Sequence, residues 1–285
     1  MMFDMKEMIL PTAAPFFEWR STASGPALVC LPLELCASHL FTTRHWPLGA
    51  RTAHAADNAP WIDVANAVGV PPGRLVRLRQ VHGDAVIEAR PGGEPGSGDI
   101  LVTNDASLAI AVQSADCVPL LLADSRSGAV GAAHVGWRGM AARVPHVVVD
   151  AMARRYATRP SDLIVAAGPS IGACCYEIGL DVREAFVAAG CSAVELQRWF
   201  LEKPIPTLGN PSMTGVSRRG RDAHWFFDLW AATRDQLRSA GVNAGRIFSA
   251  DVCTASHPGA LCSHRRDGAP AGRIAGAIRS LPPRP

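Results

Sequence analysis

Three short segments of the chain each place an imidazole or a thiol beside an apolar run. The residues are His82 in RQVHGDAV, Cys117 in SADCVPLLLAD and His134 in AAHVGWRG. Together they supply three ligands of borderline softness for an ion such as Zn²⁺, and a fourth position stays open. An open position is typical of a catalytic zinc, because water or substrate must reach the metal.

Each of these residues also has a simpler interpretation. A lone histidine in a turn, such as His82, usually makes an ordinary hydrogen bond, and a buried cysteine is usually inert packing. Cys117 could instead be a nucleophile with His134 as its base. A joint site is favoured because all three lie at the ends of predicted strands, which can converge on one pocket mouth. Asp116 is then a candidate acceptor that would fix the tautomer of one imidazole.

The turn GWRG at 136–139 follows the third ligand and predicts an anion site. Backbone N–H groups between Gly136 and Gly139 would point at the anion, and Arg138 adds a planar fork for phosphate or carboxylate. The segment GPSIGACCYE, which contains Ser170, could form a second backbone cradle. Both segments are also compatible with plain tight turns that need glycine.

Hydrophobic periodicity predicts the elements that must position these residues. Short runs rich in β-branched residues or leucine predict strands at 27–32, 75–81, 99–103, 108–113, 118–123, 129–135 and 162–167. Helices are predicted at 60–69, 139–157, 180–189 and 228–240. Pro145 must either mark the first turn of the second helix or kink it. Loops are predicted at 91–98 and 203–224.

The composition is that of a globular protein, with 48% hydrophobic and 19% charged residues. The 285 residues contain no internal repeat and no break in composition. We therefore expect one α+β domain over 1–285, with mixed β-sheets flanked by helices and an N-terminal extension at 1–25.

The net charge of +3 and the absence of a basic stripe argue against nucleic acid or a membrane surface as a partner. The first residues do not resemble a signal peptide, and no apolar run has the length of a membrane helix. We therefore expect a cytoplasmic protein, monomeric or weakly homo-oligomeric. Its eight cysteines are then reduced thiols or metal ligands, since no CxxC pair occurs and adjacent Cys174 and Cys175 are badly placed to bridge.

Longer motifs follow one another in a characteristic order over residues 38–279: RQVHGDAV, DILVT, SADCVPLLLAD, AAHVGWRG, GPSIGACCYEIG, FDLWAATRDQL and SHRRDG. In these the chain resembles the laccase-domain family, once described as multicopper polyphenol oxidases and now as purine nucleoside phosphorylases, which includes the peptidoglycan editing factor. The resemblance implies a mixed-sheet, cysteine-hydrolase-like fold and one Zn²⁺ on His82, Cys117 and His134. It also implies phosphorolysis of adenosine, inosine, guanosine and methylthioadenosine, with deamination of adenosine.

The resemblance further implies a role for Arg44, which matches the arginine of the family's N-terminal motif. The next residues, HWPL at 45–48, replace the usual Gly-Gly-Val-Ser, and His264 replaces a tyrosine of the family's SYRRDG motif. Both departures lie near expected substrate contacts. Arg44 or Arg138 would hold phosphate, and the spacing does not decide between them.

Three functions remain open on the sequence. The first is the zinc-dependent nucleoside enzyme, and the second is an amidohydrolase that edits a wrongly built cell-wall precursor with an activated water or Cys117. The third is a non-enzymatic protein that binds zinc or a partner. One His/Cys/His set has too few ligands for a multicopper cluster, although it could hold copper in a copper-rich medium.

Overall fold

The computed structural model describes residues 9–49, 61–92, 96–213 and 223–281. Their strands form two six-stranded sheets and one three-stranded sheet. The first sheet contains, in spatial order, β1 (Phe17–Thr22), β2 (Gly25–Cys30), β3 (Ala37–Thr42), β15 (Ile274–Ser280), β7 (Ala109–Ser114) and β4 (Leu75–Arg77).

The second sheet contains β14 (Ile247–Ser249), β10 (Leu163–Ala167), β8 (Val118–Asp124), β9 (Val130–Val135), β6 (Ile100–Thr103) and β5 (Val86–Glu88). The small third sheet contains β11 (Glu177–Gly179), β13 (His224–Phe227) and β12 (Phe200–Leu201).

The helices of the described residues are α1 (Ile62–Val68), α2 (Trp137–Ala141), α3 (Val144–Tyr156), α4 (Leu180–Ala188), α5 (Ala193–Trp199), α6 (Leu229–Ser239) and α7 (His264–Asp267). No helix among them is both long enough and apolar enough to cross a membrane.

The two large sheets pack face to face, with helices on their outer faces. Successive residues of β8 lie on opposite faces of the sheet and show the layering. Leu120 belongs to the core under α3 and α6, and Leu121 belongs to the core between the sheets. α1 covers the other face of the first sheet through Val64 and Val68. Because the central strands are buried on both faces, they read in sequence as continuous apolar runs.

Each of the seven predicted strand segments contains a strand, so these predictions are confirmed. The predicted helix at 139–157 is instead two helices, α2 and α3, separated at Arg143, whose φ of 58° is left-handed. Pro145 lies in the first turn of α3, where a missing N–H costs no hydrogen bond. Of the two alternatives for this proline, a first turn or a kink, the structure has the first turn.

Several elements have no counterpart in the predictions. β1 lies in the segment expected as an N-terminal extension and pairs with β2 at the edge of the first sheet. α5 begins with a capping box between Ser192 and Glu195. Of the predicted loops, 93–95 and 214–222 lie outside the described residues, and β13 begins at the end of the second loop.

Candidate metal centre

The three predicted ligands meet at one end of the second sheet. Cys117 directly precedes β8, and His134 is the next-to-last residue of β9. Because these strands are antiparallel, with Val118 opposite Val135, the start of one lies beside the end of the other. His82 lies in the loop after β4, a strand of the first sheet. The donor atoms of the three residues all lie within 4.8 Å of one another.

Asp99 holds two of these ligands in place. It is fully buried and directly precedes β6, whose pairing with β9 sets it beside His134. One carboxylate oxygen accepts Nδ1–H of His134 at 2.8 Å and the backbone N–H of His82 at 3.0 Å. The other accepts the N–H groups of Val81 and Gly83 at 3.1 and 2.7 Å. Since Nδ1 of His134 carries the proton, Nε2 is the nitrogen left for a metal.

Backbone conformation at the site is unusual in the way that functional sites often are. His82 has a φ of 62°, in the left-handed region that a histidine seldom adopts. The hydrogen bonds that the backbone N–H groups of residues 81–83 donate to Asp99 hold this turn and so fix the direction of the imidazole. The rings of His82 and His134 meet edge to face, with centroids 4.8 Å apart.

Gly136 lets the backbone pass close to the ligands. A Cβ there would lie 2.8 Å from Sγ of Cys117 and 3.4 Å from Cδ2 of His82, so only glycine leaves the donor atoms undisturbed. Two imidazoles and a thiolate are donors that Zn²⁺ prefers, at about 2.0–2.1 Å for nitrogen and about 2.3 Å for sulfur. Donor atoms within 4.8 Å of one another suit these lengths, and the residues therefore fit a zinc ion.

The electrostatics favour a thiolate beside an imidazolium when no metal is bound. Burial alone would raise the pKa of Cys117, but His134 and His82 lower it to about 6. Burial alone would lower the pKa of His134, but the charge of Cys117 and the hydrogen bond to Asp99 raise it to about 9. A thiolate is the form in which cysteine binds metal or attacks a substrate.

We therefore expect the metal-free protein to be alkylated at Cys117 with a pH midpoint near 6. The rate of iodoacetamide labelling at Cys117, followed by mass spectrometry against pH, measures this midpoint. In His134→Asn the neighbouring cation is gone, so the midpoint should move toward about 8.5, the ordinary cysteine value. A midpoint that stays the same in this variant would contradict the ion-pair explanation.

Asp116 does not fix an imidazole, so that expectation was wrong. Its φ of 96° turns the chain just before β8, and both of its carboxylate oxygens bond to residues other than the histidines. One oxygen accepts the hydroxyl of Thr254 at 2.6 Å, and the other accepts the backbone N–H of Arg265 at 2.6 Å. Asp116 therefore anchors the segment that carries α7. Asp99, and not Asp116, fixes the tautomer of an imidazole, that of His134.

The two arginines expected to hold phosphate are both exposed. The guanidinium of Arg138 stacks on the ring of Trp137 at 4.2 Å. Arg44 donates a hydrogen bond to the carbonyl of Pro258. Its backbone N–H is bonded to the carbonyl of Ala260 at 2.9 Å. The role of each arginine stays a prediction.

Other residues of the predicted anion sites are buried. Gly139 packs in α2, where a Cβ would lie 3.2 Å from Cγ2 of Val144. Ser170 is fully buried, and its hydroxyl accepts the indole N–H of Trp230 at 2.8 Å. Their assignment to phosphate, with that of the Gly136 amide, stays a prediction.

Tyr176 is a residue of this region that the sequence reasoning missed. Burial raises its pKa most, the Cys117 thiolate raises it further, and Arg265 and Arg138 lower it, so the phenol lies among these charges. Arg265 stacks on its ring at 5.3 Å. The only signal in the sequence was the glycine-rich motif that contains it. His264, the departure from the family pattern, bonds through Nδ1–H to the carbonyl of Gly268 at 2.9 Å and closes the turn of α7.

The chain is similar to known proteins over most of its length. The family described as "Multi-copper polyphenol oxidoreductase laccase" matches residues 51–280. The chain belongs to this family. Within the described residues of this laccase-family chain, two groups of donors are placed to hold a metal: His82, Cys117 and His134, and a group of three cysteines.

Two relatives and one solved structure show how far the likeness extends. A purine nucleoside phosphorylase of Deinococcus radiodurans is 34% identical over 276 residues, which are 92% of this chain and 96% of that protein. One of Xylella fastidiosa is 34% identical over 196 residues, which are 67% of this chain and 66% of that protein. The crystal structure of YlmD from Geobacillus stearothermophilus has a TM-score of 0.74 at 28% identity, covering 93% of this chain and 99% of that one. These likenesses confirm the expected family and the α+β fold.

Proposed function

We propose that the protein is a zinc-dependent purine nucleoside phosphorylase that also deaminates adenosine. Adenosine, inosine, guanosine and methylthioadenosine are the proposed substrates, with phosphate as the second substrate. The observation that carries the proposal is the His82, Cys117 and His134 cluster, whose donors suit zinc and which Asp99 orders. The relatives named as purine nucleoside phosphorylases support the choice of reaction.

Four residues of the chain form the proposed metal centre. His82, Cys117 and His134 would hold Zn²⁺. When bound, the ion supplies a Lewis acid with an open position, which can polarise a substrate group and lower the pKa of a water. Asp99 keeps the proton on Nδ1 of His134 and so presents Nε2 to the ion.

Phosphorolysis also needs an anion held against the anomeric carbon of the ribose. Arg138 lies four residues after His134, at the start of the helix that follows β9, and its guanidinium suits phosphate. Tyr176 offers a ring beside these charges against which a purine base can stack. Arg44 is the second proposed phosphate residue.

Arg138→Ala is expected to raise the KM for phosphate by roughly ten- to a hundredfold, since a bond to a charged group contributes about 1.5–3 kcal/mol. Adenosine deamination should change less, because its nucleophile is water. Arg154→Ala removes another exposed arginine, from α3, and is the matched control. Equal losses of both activities in Arg138→Ala would mean that the arginine shapes the pocket and does not bind phosphate. Arg44→Ala, assayed in parallel, decides which arginine matters more.

The proposal is tested by incubating the zinc-loaded protein with the four nucleosides, with and without phosphate. Release of free base that depends on phosphate supports phosphorolysis. Release of ammonia from adenosine should not depend on phosphate, because water is the nucleophile of deamination. Release of free base that does not depend on phosphate would contradict phosphorolysis.

The amidohydrolase that edits cell-wall precursors is the second candidate. It is favoured by the low pKa of Cys117 beside the raised pKa of His134, the ion pair that cysteine nucleophiles use. A cell-wall precursor hydrolysed by the metal-free protein, with no turnover of nucleosides, would select it.

A further inference from the structure

A second group of potential ligands consists of Cys174, Cys175 and Cys253. Their Sγ atoms lie within 4.8 Å of one another, and none of the three forms a disulfide. Cys174 and Cys253 are fully buried, whereas Cys175 is half-buried and gives the group a route to solvent. The proposed phosphorolysis makes no use of these thiols.

The fold brings the three cysteines together through two neighbouring loops. β10 and β14 are parallel, so the loops that follow them leave the same edge of the sheet. Ser170 pairs with Cys253 in an isolated parallel bridge, which fixes one loop against the other. Cys174 and Cys175 then follow in the turn whose amides bond back to the carbonyl of Gly172.

A hydroxyl and an amide complete the surroundings of the sulfur atoms. Oγ of Ser256 lies 3.5 Å from Sγ of Cys174 and 3.3 Å from Sγ of Cys175. The backbone N–H of Gly172 donates to Sγ of Cys253 at 3.4 Å. Three sulfurs and one oxygen thus lie in one group, with the hydroxyl beside two of the sulfurs.

The spacing of these atoms is close to that of a tetrahedral thiolate site. A metal–sulfur bond of about 2.3 Å in a tetrahedron places sulfur atoms about 3.8 Å apart. Sγ of Cys174 and Sγ of Cys175 are 3.4 Å apart. The distances from these two sulfur atoms to Sγ of Cys253 are at most 4.8 Å, so modest shifts of the side chains would seat an ion between the three.

A disulfide explains the group less well. Cys174 and Cys175 are adjacent, and a trans peptide sets their Cα atoms about 3.8 Å apart, below the roughly 4.4–6.8 Å that disulfides span. A bridge from either residue to Cys253 would leave the third thiol and Ser256 unused. An ion uses all four groups.

Hydrogen bonds within the group also act on the pKa values of its thiols. Burial would raise the pKa of Cys253, but hydrogen bonds from the two other thiols, Ser256 and the Gly172 amide hold it well below its usual range. Hydrogen bonds with Cys175 and with Cys253 raise the pKa of Cys174. A thiophilic ion that binds such a hydrogen-bonded group of thiols displaces their protons.

We propose that Cys174, Cys175 and Cys253, with Ser256 as the oxygen donor, form a second metal site for a thiophilic d¹⁰ ion, Zn²⁺ or Cu⁺. Soft thiolate ligands select these ions. Bound there, the ion ties the loop of Tyr176 to the loop that follows β14. The site is independent of the cluster around Cys117.

The test measures bound metal per chain in the reduced, full-length protein under anaerobic conditions, with Zn²⁺ in one arm and Cu⁺ in the other. Wild type is expected to bind one equivalent more than Cys175→Ala and than Cys253→Ala in at least one arm, which identifies the ion. Cys191→Ser, a buried cysteine outside the group, is the matched control and should bind as wild type does.

Cys117→Ser separates the two sites, since it should lose the other equivalent and keep this one. Cys175 is half-buried, so Cys175→Ala is the variant expected to fold normally, and its retained equivalent at the first site verifies that it does. As a second readout, the chosen ion should protect Cys175 of wild type from alkylation. Equal binding by wild type and Cys175→Ala in both arms, or alkylation of Cys175 that neither ion slows, would overturn the proposal.

Discussion

Cys117→Ser is expected to lose the ion bound at the first site and to abolish phosphorolysis. Cys117 supplies the single thiolate among three ligands, and a pKa lowered to about 6 keeps it ionised at neutral pH. A serine hydroxyl stays neutral there and is a much weaker zinc donor, so two imidazoles alone would have to hold the ion. His134→Ala should also lose the ion, because only His82 and Cys117 would remain to hold it. Zinc per chain, measured by elemental analysis together with the phosphorolysis rate, checks both variants.

The fold should survive these substitutions if the site is catalytic and not structural. Cys117 directly precedes β8, and the strand itself is fixed by pairing with β9 and β10 and by two apolar cores. Circular dichroism and the thermal midpoint should therefore stay near wild type, as should those of the control Cys191→Ser. Cys117→Ser and His134→Ala proteins that both keep first-site zinc would rule out this ligand set.

Asp99→Asn is expected to weaken metal affinity or activity by roughly 10- to 100-fold and to destabilise the fold as well. The carboxylate accepts four hydrogen bonds, three of them from the backbone at 81–83. An amide keeps one acceptor oxygen and turns an N–H₂ group toward the remaining donors. An unpaired buried N–H costs about 1–3 kcal/mol, so the His82 turn should loosen.

The loss of stability in Asp99→Asn should depend on pH. Burial would raise the pKa of Asp99, but the bonds from His134, Gly83 and Val81 lower it below its ordinary value. A depressed pKa stabilises the folded state above the unfolded value of about 3.9 and loses that contribution as the pH falls. Denaturant unfolding should thus show a large gap between wild type and Asp99→Asn near neutral pH and a smaller gap below about pH 4. Asp105→Asn, at a loop carboxylate that accepts the N–H of Ser107, is the control. A gap that does not change with pH would contradict the role given to the charge.

The sequence was sufficient to find the three ligands because each lies where an apolar run stops. Strand ends meet at sheet edges whatever the detailed topology, so His82, Cys117 and His134 could be grouped without knowing which strands pair. The carboxylate that hydrogen-bonds to His134 and to the backbone of His82 could not be found in this way. Asp99 lies 35 residues before His134, and only the antiparallel pairing of β6 with β9 makes them neighbours.

Asp116 shows the opposite error, in which adjacency along the chain was taken for adjacency in space. The left-handed turn at Asp116 sends its carboxylate to Thr254 and to Arg265, which are 138 and 149 residues away along the chain. Local signals in the sequence carry no information about such contacts. The same limit explains why the stacking of two sheets, which depends on long-range pairing, was not predicted beyond its mixed α+β class.

Short elements were missed for a different reason. β5 and β14 have three residues each, too few for periodicity to separate a strand from a loop. The break between α2 and α3 was signalled only by Pro145, which allowed a kink as well as a new start. α5 does carry a local signal in the sequence, the capping box of Ser192 and Glu195.

The ribosyl product that the zinc-loaded protein forms from inosine in the presence of phosphate distinguishes a metal-dependent phosphorylase from a hydrolase. Wild type should release hypoxanthine and ribose 1-phosphate in equal amounts, at a rate that saturates with phosphate. Cys117→Ser, prepared in the same way, should form neither product. Free ribose in place of ribose 1-phosphate, or full formation of ribose 1-phosphate by Cys117→Ser without bound metal at the first site, would contradict a metal-dependent phosphorylase.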